Sequence, residues 1–431
     1  MQQVLPPVTT TIAKICTSAI WHIIRTFPTE SQVLELGETL EITPELLNPE
    51  GATYSWLVNG KEYSTEPTFS YKIDNPCRAD LTCIIKNKYG KVEMSTSFSS
   101  NHNFSKGFFY VADGTFNFYD TEKKTAYQDC YASLNAGKTL GIGNYDSANI
   151  IHSNGKFYLL VGTSTSNRDH FYIVDAKTLY YENSAVVGAN LSGLTILNEQ
   201  YGLVTGDGIR RIDLKSLNNV RIKNERLLCF YNSIIYNGKV LSNDTYKDES
   251  KVKYYDVNEL IAAKEGEAPA VTELDIIQKQ KINFVLAKDG NVYTLESADN
   301  GCNIVKIKND FTLEKVFANF QPAKGPYHSS PTIGMVASET ENIIYLVSTD
   351  GAIYKYILGD SDSLKAPFIA AESGVSITAP LQLNQQSGEL YVTHTEERKD
   401  ESKIVVYSKD GKVLHTVDCG ESVPSQILFN N

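Results

Sequence analysis

The sequence predicts an all-β protein in which a small β-sandwich precedes a seven-bladed β-propeller that the C-terminal strand closes. Tyrosine and phenylalanine are abundant, with 26 Tyr and 17 Phe against 3 Met, and aromatic side chains suit pleated, half-buried surfaces. Asn59-Gly60 and Asn154-Gly155 each separate two apolar runs, which is a strong signal of a β-hairpin. A three-strand pattern then recurs seven times, and a length of 431 residues exceeds an ordinary single core.

The charge and the distribution of apolar residues argue against two classes of partner. A formal net charge of −11 and a pI near 5.3 disfavour a nucleic acid, because a phosphate backbone needs clustered Lys and Arg. The sequence contains no run of about 18 or more apolar residues, so no transmembrane helix is expected.

The seven cysteines are scattered and form no Cys-x-x-Cys pair, which indicates neither a zinc site nor a thioredoxin-like motif. Most of them are expected to be buried as small hydrophobic residues. A disulfide between Cys77 and Cys83 is left open at this point, since strand geometry rather than sequence spacing decides it.

Residues 1–31 form an N-terminal segment of unclear status. Residues 1–15 lack the basic region and the apolar core of a signal peptide, and Ala13-Lys14-Ile15 poorly matches the small residues that precede a lipoprotein cysteine such as Cys16. Apolar residues in 11–27 follow roughly helical spacing, which predicts a short amphipathic helix. A start site further upstream or a trimmed sequence explains the segment equally well, and no function is assigned to it.

Residues 32–100 are predicted to form the β-sandwich, because several short strands follow one another there. Trp56 lies in a central strand and is assigned to the core. The stretches YSWLVNGKEYSTEPTFSYKI and LTCIIKNKYGKVEMSTSF resemble the PKD/Ig-like modules of secreted bacterial proteins. The resemblance implies that this domain acts as a spacer.

Residues 107–431 repeat one strand pattern at intervals of about 37 to 52 residues, the range of propeller blades. The second strands of the repeats are predicted at 108–111, 156–161, 201–205, 239–242, 291–295, 343–347 and 389–393. The third strands are predicted at 116–119, 171–174, 209–212, 252–255, 304–307, 353–356 and 404–407. Several of them end in an Asp that is expected to accept hydrogen bonds from the following turn, namely Asp120, Asp175, Asp213 and Asp256.

The first strands show how the array closes. They are predicted at 148–153, 193–197, 233–236, 282–287, 330–336 and 379–383, and the first repeat has none. Residues 425–429 at the C-terminus supply the missing strand. Their pairing with the first repeat closes the ring and removes two open sheet edges.

Four stretches of the repeat region carry a further resemblance: GFFYVADGTFNFYD, GKTLGIGNYDSANIIHSNGKFYLL, FYIVDAKTL and GLVTGDGIRRIDLKSL. They resemble a group of Bacteroidetes cell-surface lipoproteins of unknown function. These proteins join a PKD/Ig-like module to a seven-bladed propeller of the quinoprotein-dehydrogenase-like kind. The resemblance covers roughly residues 32 to 431 and implies a location on the extracellular side of the outer membrane, although residues 1–31 show no legible export signal or lipid-acceptor cysteine.

Motifs of known enzymes are absent from the sequence, so no catalytic activity, no cofactor and no metal site is expected. There is no G-x-S-x-G elbow, H-E-x-x-H pair, P-loop or Rossmann fingerprint. The seven histidines share no metal-ligand spacing. A lyase or a quinone-dependent dehydrogenase remains a minor alternative, which would require His152, His328 and His394 to converge on the central channel.

One face of the predicted propeller is the candidate binding surface. The loops that enter the first strands and those that join second to third strands share this face, which we call the loop face. They are rich in Tyr, Asn, Asp and Arg, and such groups suit a polar, ring-bearing ligand. The alternative is that the loops are solvated and their tyrosines pack on neighbours. The candidate ligand-binding residues are Asn144, Tyr145, Asp146, Arg168, His170, Tyr231, Asn232, Tyr246, Tyr327 and His328.

These observations favour a monomeric, non-catalytic surface binding protein that captures a nutrient for an outer-membrane transporter. The resemblance places corrinoids of the vitamin B12 type ahead of glycans, because relatives of this propeller class include corrinoid-capturing surface proteins. The alternative is an adhesion or scaffold protein whose acidic, tyrosine-rich propeller binds another protein.

Overall fold

A computed structural model of the chain divides into two compact units. Unit 1 comprises Met1–Lys106 and Tyr127–Thr139, and unit 2 comprises Gly107–Ala126 and Leu140–Asn431. The structure describes residues 24–25, 27–46, 49–88, 90–136, 138–140, 148–162, 169–189, 191–206, 208–223, 233–243, 250–267, 269–278, 283–323, 334–396 and 401–430.

Unit 1 consists of two main sheets that enclose one apolar core. The larger sheet has the strand order Gln32–Glu35, Gly90–Asn101, Arg78–Asn87, Thr53–Val58 and Lys61–Ser64. The smaller sheet pairs Thr39–Ile42 with Phe69–Lys72. A further pair joins Ile24–Arg25 to Glu45–Leu46, so the prediction of a helix over residues 11–27 is wrong at its C-terminal end. Residues 1–23 lie outside the described part of the chain.

Trp56 is the centre of this core, as predicted. Its side chain is fully buried, and its indole Nε1 donates a hydrogen bond to the carbonyl oxygen of Glu66 at 2.8 Å. The ring centroid of Phe69, from the smaller sheet, lies 5.2 Å from that of Trp56. Alternate residues of Arg78–Asn87 point into the core because side chains of a strand alternate between its two faces.

Cys77 and Cys83 are both buried free thiols, which settles the disulfide that the sequence left open. They stand six residues apart on an extended stretch, which separates them by about 20 Å, far beyond disulfide reach. A short helix, Cys130–Leu134, completes unit 1 after the 3-10 turn Phe104–Lys106. Asn75 holds that helix to the larger sheet by donating to the carbonyl of Gln128 at 2.6 Å.

The described residues of unit 2 form seven successive sheets, numbered here in chain order. Sheet 1 contains Pro424–Leu428, Gly107–Ala112, Thr115–Asp120 and Thr125–Tyr127. Sheet 2 contains Ala148–Ser153, Lys156–Val161, Asp169–Asp175 and Tyr181–Gly188. Sheet 3 contains Leu191–Ile196, Tyr201–Gly206, Gly208–Asp213 and Asn219–Lys223. Sheet 4 contains Ile234–Tyr236, Lys239–Asn243, Ser250–Asp256 and Val271–Gln278, with the helix Val257–Ala262 after its third strand.

Sheet 5 keeps the four-strand plan, whereas sheets 6 and 7 depart slightly from it. Sheet 5 contains Val285–Leu286, Val292–Ala298, Gly301–Ile307 and Leu313–Phe320. Sheet 6 has three strands, Met335–Ala337, Ile343–Val347 and Ile353–Ile357, followed by the 3-10 turn Ser361–Leu364. Sheet 7 contains Leu390–Glu396, Glu401–Tyr407 and Val413–Gly420, and both Val375–Ile377 and Gln382–Leu383 pair with its strand Leu390–Glu396.

Turn chemistry fixes the register of these sheets. Asn154 and Gly155 have φ values of 51° and 69°, which a two-residue hairpin turn requires at both positions. The predicted Asp caps are also present. Asp175 accepts hydrogen bonds from the amides of residues 177 and 178, and Asp213 does the same for the amides of residues 215 and 216.

Apolar clusters join each sheet to the next, because the second strands are buried on both faces. In sheet 3, for example, Val204 belongs to a cluster with sheet 2 and Leu203 to a cluster with sheet 4. Sheet 7 packs on sheet 1 through Tyr391 and Tyr110. Similar clusters join sheets 4 and 5, 5 and 6, and 6 and 7. Unit 2 is therefore an all-β, propeller-like array.

The C-terminal strand pairs with the first repeat, as the sequence predicts. Residues Pro424–Leu428 run antiparallel to Gly107–Ala112, with Ile427 opposite Tyr110. Sheet 1 is thus built from both ends of unit 2. The fourth, outer strands of the sheets were missed by the sequence analysis, which recognised three strands in each repeat.

Candidate functional site

Nine of the ten candidate ligand-binding residues lie outside the described part of the chain. They are Asn144, Tyr145, Asp146, Arg168, Tyr231, Asn232, Tyr246, Tyr327 and His328. The tenth, His170, is described, and all ten remain predictions. The described part of the candidate site therefore consists of the strand ends next to these residues. We call the end of a sheet at which its first strand begins and its second strand ends the loop end.

His170 lies at the loop end of sheet 2, in the strand Asp169–Asp175. It stands between Val161 and Val186 in the sheet, is partly exposed, and stacks on Tyr172 with 5.9 Å between ring centroids. An imidazole on an aromatic ring offers a flat apolar surface with a polar edge, which suits a ring-bearing ligand.

Asp169, which the sequence analysis missed, is almost completely buried beside His170. Its Oδ2 accepts a hydrogen bond from the backbone amide of Leu191 at 2.5 Å, which ties sheet 2 to the first strand of sheet 3. A buried carboxylate is stable only with such partners. Asp169 therefore fixes the strand from which His170 projects.

Most buried polar side chains of unit 2 lie in the loop-end half of their strands. Burying a polar group is costly unless it finds a hydrogen-bond partner, so this distribution marks the loop ends as the polar part of an otherwise apolar interior. The residues concerned are Asn117, Asn149, Asp169, Thr205, Ser242, Asn243, Gln278, Asn303, Ser348, His394 and Ser402.

Two similar ion pairs lie at the opposite ends of the sheets. In sheet 4, Lys239 at the start of the second strand lies 2.7 Å from Asp256 at the end of the third. Sheet 2 has the same arrangement in Lys156 and Asp175, at 3.3 Å. Ion pairs also occur towards the loop end, as between Lys251 and Asp275 of sheet 4 at 3.1 Å. The loop end is therefore distinguished by its larger share of buried polar side chains.

Sheet 7 contains the most strongly perturbed histidine among the described residues. Burial and the cation of Lys403 lower the pKa of His394 to about 4, and the nearby carboxylate of Glu372 opposes this shift. The Nε2 atom of His394 lies 3.4 Å from the hydroxyl of Tyr407, and its Nδ1 lies 3.9 Å from Glu372 Oε2. His394 is therefore a neutral imidazole at pH 7.

Hydroxyl groups extend this polar region towards the loop end of sheet 7. The Thr395 hydroxyl lies 2.9 Å from that of Thr378 and 2.9 Å from that of Ser402. Each hydroxyl both donates and accepts, so the three form a chain whose direction a neighbouring ligand or solvent group can reverse.

Two of the three histidines that an enzymatic activity would require to converge, His152 and His394, lie in separate sheets. His152 packs on Phe157 of sheet 2, with 5.1 Å between ring centroids, whereas His394 is held by Tyr407 of sheet 7. His328 lies outside the described residues. Within the described ranges, no group of three or more His, Cys, Asp or Glu side chains is placed to hold a metal ion.

The chain belongs to the family of the domain of unknown function DUF5074, whose model matches residues 104–430. A PKD-like domain model matches residues 23–87. The family and the PKD-like domain together define the class: an N-terminal PKD-like domain joined to a propeller-like domain of unassigned activity.

Among solved structures, the chain is similar to a quinoprotein alcohol dehydrogenase-like protein from Bacteroides thetaiotaomicron VPI-5482. The two share 97% sequence identity with a TM-score of 0.92, over 96% of this chain and 100% of that chain. A functionally unknown protein from Desulfotomaculum acetoxidans DSM 771 shares 13% identity with a TM-score of 0.50, over 76% of this chain and 100% of that one, which shows a likeness of fold alone. No curated protein matches the chain.

The name of the Bacteroides relative raises the question of a quinone cofactor. A redox cofactor needs polar side chains that converge on it to hold it and to tune its electronics. Among the described residues, His152 contacts the ring of Phe157 and His394 contacts the hydroxyl of Tyr407, each within its own sheet. These two histidines belong to different sheets, sheet 2 and sheet 7.

Among the described residues, none of the helices is long and apolar enough to cross a membrane.

Proposed function

We propose that unit 2 is a seven-bladed propeller in which each of the seven sheets is one blade. Seven sheets in chain order support this, as do the apolar clusters between neighbours. Between sheets 1 and 2, Phe109 and Phe157 meet edge to face at 5.5 Å between ring centroids, and Gln426 donates to the carbonyl of Ile150 at 2.8 Å. The domain boundaries proposed with it are 32–100 for the PKD-like module and 107–431 for the propeller.

We propose further that the protein is a non-catalytic binding protein on the surface of a Bacteroidetes cell. Its loop face would capture a polar, ring-bearing nutrient, with corrinoids ahead of glycans, for an outer-membrane uptake system. The observation that carries this proposal is the collection of buried polar side chains at the loop ends of an otherwise apolar array. Ligand sites of this kind combine apolar walls with a few placed polar groups.

Calorimetric titration of the full chain with cyanocobalamin and with a panel of glycans tests this function. Saturable binding of one ligand class supports it, and the variant His170→Ala is expected to weaken that binding. The matched control is His415→Ala, since His415 lies on the outer strand of sheet 7, where its ring stacks at 6.0 Å on Tyr119 of sheet 1. Absence of saturable binding across both ligand classes would contradict the proposal.

A second candidate is an adhesion or scaffold protein whose propeller binds another protein. The net charge of −11 and the 26 tyrosines favour it, because tyrosine is enriched at protein interfaces. Affinity purification of the intact protein from a Bacteroides envelope fraction separates the two candidates. Recovery of an outer-membrane transporter supports nutrient capture, and recovery of a matrix component supports adhesion.

Surface location and lipid anchoring belong to the same proposal. The PKD-like match to residues 23–87 supports them through the kind of protein that such modules accompany. Protease treatment of intact cells, with an internal membrane protein as control, tests surface exposure. Sedimentation of the purified chain tests the monomeric state that we propose.

A further inference from the structure

Sheets 4 and 5 are joined by a short chain of side-chain hydrogen bonds that runs from the loop end of sheet 4 to the second strand of sheet 5. The Nδ2 group of Asn243 donates to Oε1 of Gln278. The Nε2 group of Gln278 then donates to the hydroxyl of Thr294 and to the carbonyl of Leu295, both at 3.0 Å. Asn243 and Gln278 belong to sheet 4, whereas Thr294 and Leu295 belong to sheet 5.

The same chain continues from sheet 5 to sheet 6 through Asn283. The hydroxyl of Thr294 donates to the carbonyl oxygen of Asn283 at 3.0 Å. The side chain of Asn283 in turn accepts from the backbone amide of Met335 at 3.0 Å and donates to its carbonyl at 2.7 Å. Asn283 thus occupies both backbone hydrogen-bonding groups of Met335, much as a paired strand residue would.

Gly334 leaves the space that this arrangement needs. Its φ is +70°, and a β-carbon at this position would lie 2.8 Å from Asn283 Oδ1. Only glycine combines that backbone conformation with so close an approach.

Burial strengthens most of the hydrogen bonds in this chain. Asn243, Gln278 and Thr294 are 5%, 1% and 0% exposed. Water does not replace a lost partner there, and hydrogen bonds are electrostatically stronger in such an interior than in water. Asn283 is partly exposed, so this argument applies to the three buried members, whose hydrogen bonds depend on one another.

The positions of the members relate the chain to the loop face. Asn243 ends the second strand of sheet 4, Gln278 ends its fourth strand, and Met335 begins the first strand of sheet 6. Three of the candidate ligand-binding residues, Tyr246, Tyr327 and His328, stand close to these ends in the sequence, outside the described residues.

We propose that Asn243, Gln278, Thr294 and Asn283 form a positioning network that holds the loop ends of sheets 4 and 6 against sheet 5 in one arrangement competent for ligand binding. The inference rests on the proposed function, since it names residues that act on the same binding face without contacting the ligand. Asn283 is the member chosen for the test, because among the four residues it is the one that bonds to sheet 6.

The test compares Asn283→Ala with Asn309→Ala in the full chain. Asn309 is a matched control because it also joins sheets 4 and 5, but at the opposite end, where its Oδ1 accepts from the hydroxyl of Tyr236 at 2.7 Å. Two readouts are needed: the Kd for cyanocobalamin or for the glycan that the wild type binds, and amide hydrogen exchange in Met335–Ala337 and Lys239–Asn243.

We expect Asn283→Ala to weaken ligand binding about tenfold or more, equivalent to about 1.4 kcal/mol, and Asn309→Ala to leave it unchanged at a comparable loss of Tm. Equal effects of Asn283→Ala and Asn309→Ala on binding would overturn the positioning role.

Amide exchange separates this inference from the proposed function. If the wild type binds none of the probes, the proposed function fails, and exchange alone decides the network. Faster exchange in both Met335–Ala337 and Lys239–Asn243 of Asn283→Ala supports it, because the chain of hydrogen bonds connects Asn283 with Asn243. Faster exchange confined to Met335–Ala337 overturns it.

Discussion

Replacing His394 with glutamine should remove a large part of the pH dependence of stability. Burial and Lys403 lower the pKa of this imidazole from 6.5 to about 4 in the folded protein. The unfolded chain therefore takes up a proton near pH 6.5, whereas the folded chain resists it until about pH 4. Stability from the neutral form is fully present above the unfolded pKa and is lost as the pH falls through this window.

The size of the effect follows from the two pKa values. At 1.36 kcal/mol for each pKa unit, the lowering from 6.5 to about 4 corresponds to about 3 kcal/mol of unfolding free energy. About 2 kcal/mol of this should be lost between pH 7 and pH 5. Such a loss is a substantial fraction of the usual stability of a folded domain, which is roughly 5–15 kcal/mol.

Urea unfolding of the full chain, followed by far-UV circular dichroism from pH 7 to pH 5, measures this loss. His394→Gln should show a pH dependence weaker by about 2 kcal/mol than the wild type. The matched control is Tyr407→Phe, which removes the hydroxyl 3.4 Å from Nε2 but keeps the imidazole. Identical pH profiles for wild type and His394→Gln would refute the reasoning.

Three further predictions test the framework of unit 2 by calorimetry or urea unfolding. Gly107→Ala should destabilise the protein by roughly 1–3 kcal/mol, because a β-carbon there would lie 1.8 Å from the Tyr119 carbonyl oxygen; an unchanged Tm would contradict this. Arg211→Met should cost about 1–2 kcal/mol, since Arg211 donates to the helix-end carbonyl of Ala263 at 3.0 Å; full stability would show that this cap is dispensable. Deleting residues 424–431 should lower the Tm sharply by exposing the edge of Gly107–Ala112, and an unaltered transition would argue against closure by the C-terminal strand.

The repeat was predictable from the sequence because its second strands are buried on both faces. Lys156–Val161 is one such strand, with five successive buried residues after the lysine, and continuous apolar runs between turn residues mark it clearly. The pairing of Pro424–Leu428 followed from counting strands rather than from any local signal. The outer strands were missed, since Tyr181–Gly188 is mostly exposed or half-buried and lacks a consistent alternation.

The polar network was beyond sequence reasoning for a different reason. Gln278 and Asn283 are ordinary polar residues at the ends of apolar strands, and Asn283 meets Met335 across 52 positions of the chain. Only the packing of one sheet on the next brings them together. The available signal was a polar residue that ends an apolar run, as at Asn243, and this signal is too common to identify a site by itself.

The candidate loop residues were chosen from composition and propeller geometry. His170 is the candidate that the described strands contain, and it lies in the strand Asp169–Asp175 at the loop end of sheet 2. Its buried neighbour Asp169 was missed because a carboxylate at the start of a strand is usually a solvated turn residue. Its partner, the backbone amide of Leu191, is 22 residues away in the sequence.

Calorimetric titration of the intact wild-type chain with cyanocobalamin, followed by the glycan panel, tests the central claim most directly. We expect saturable binding of one ligand class at one site per chain. His170→Ala and Asn283→Ala should weaken this binding, whereas Asn309→Ala should not. A wild-type protein that binds neither class saturably would contradict the claim that the loop face captures a polar, ring-bearing nutrient.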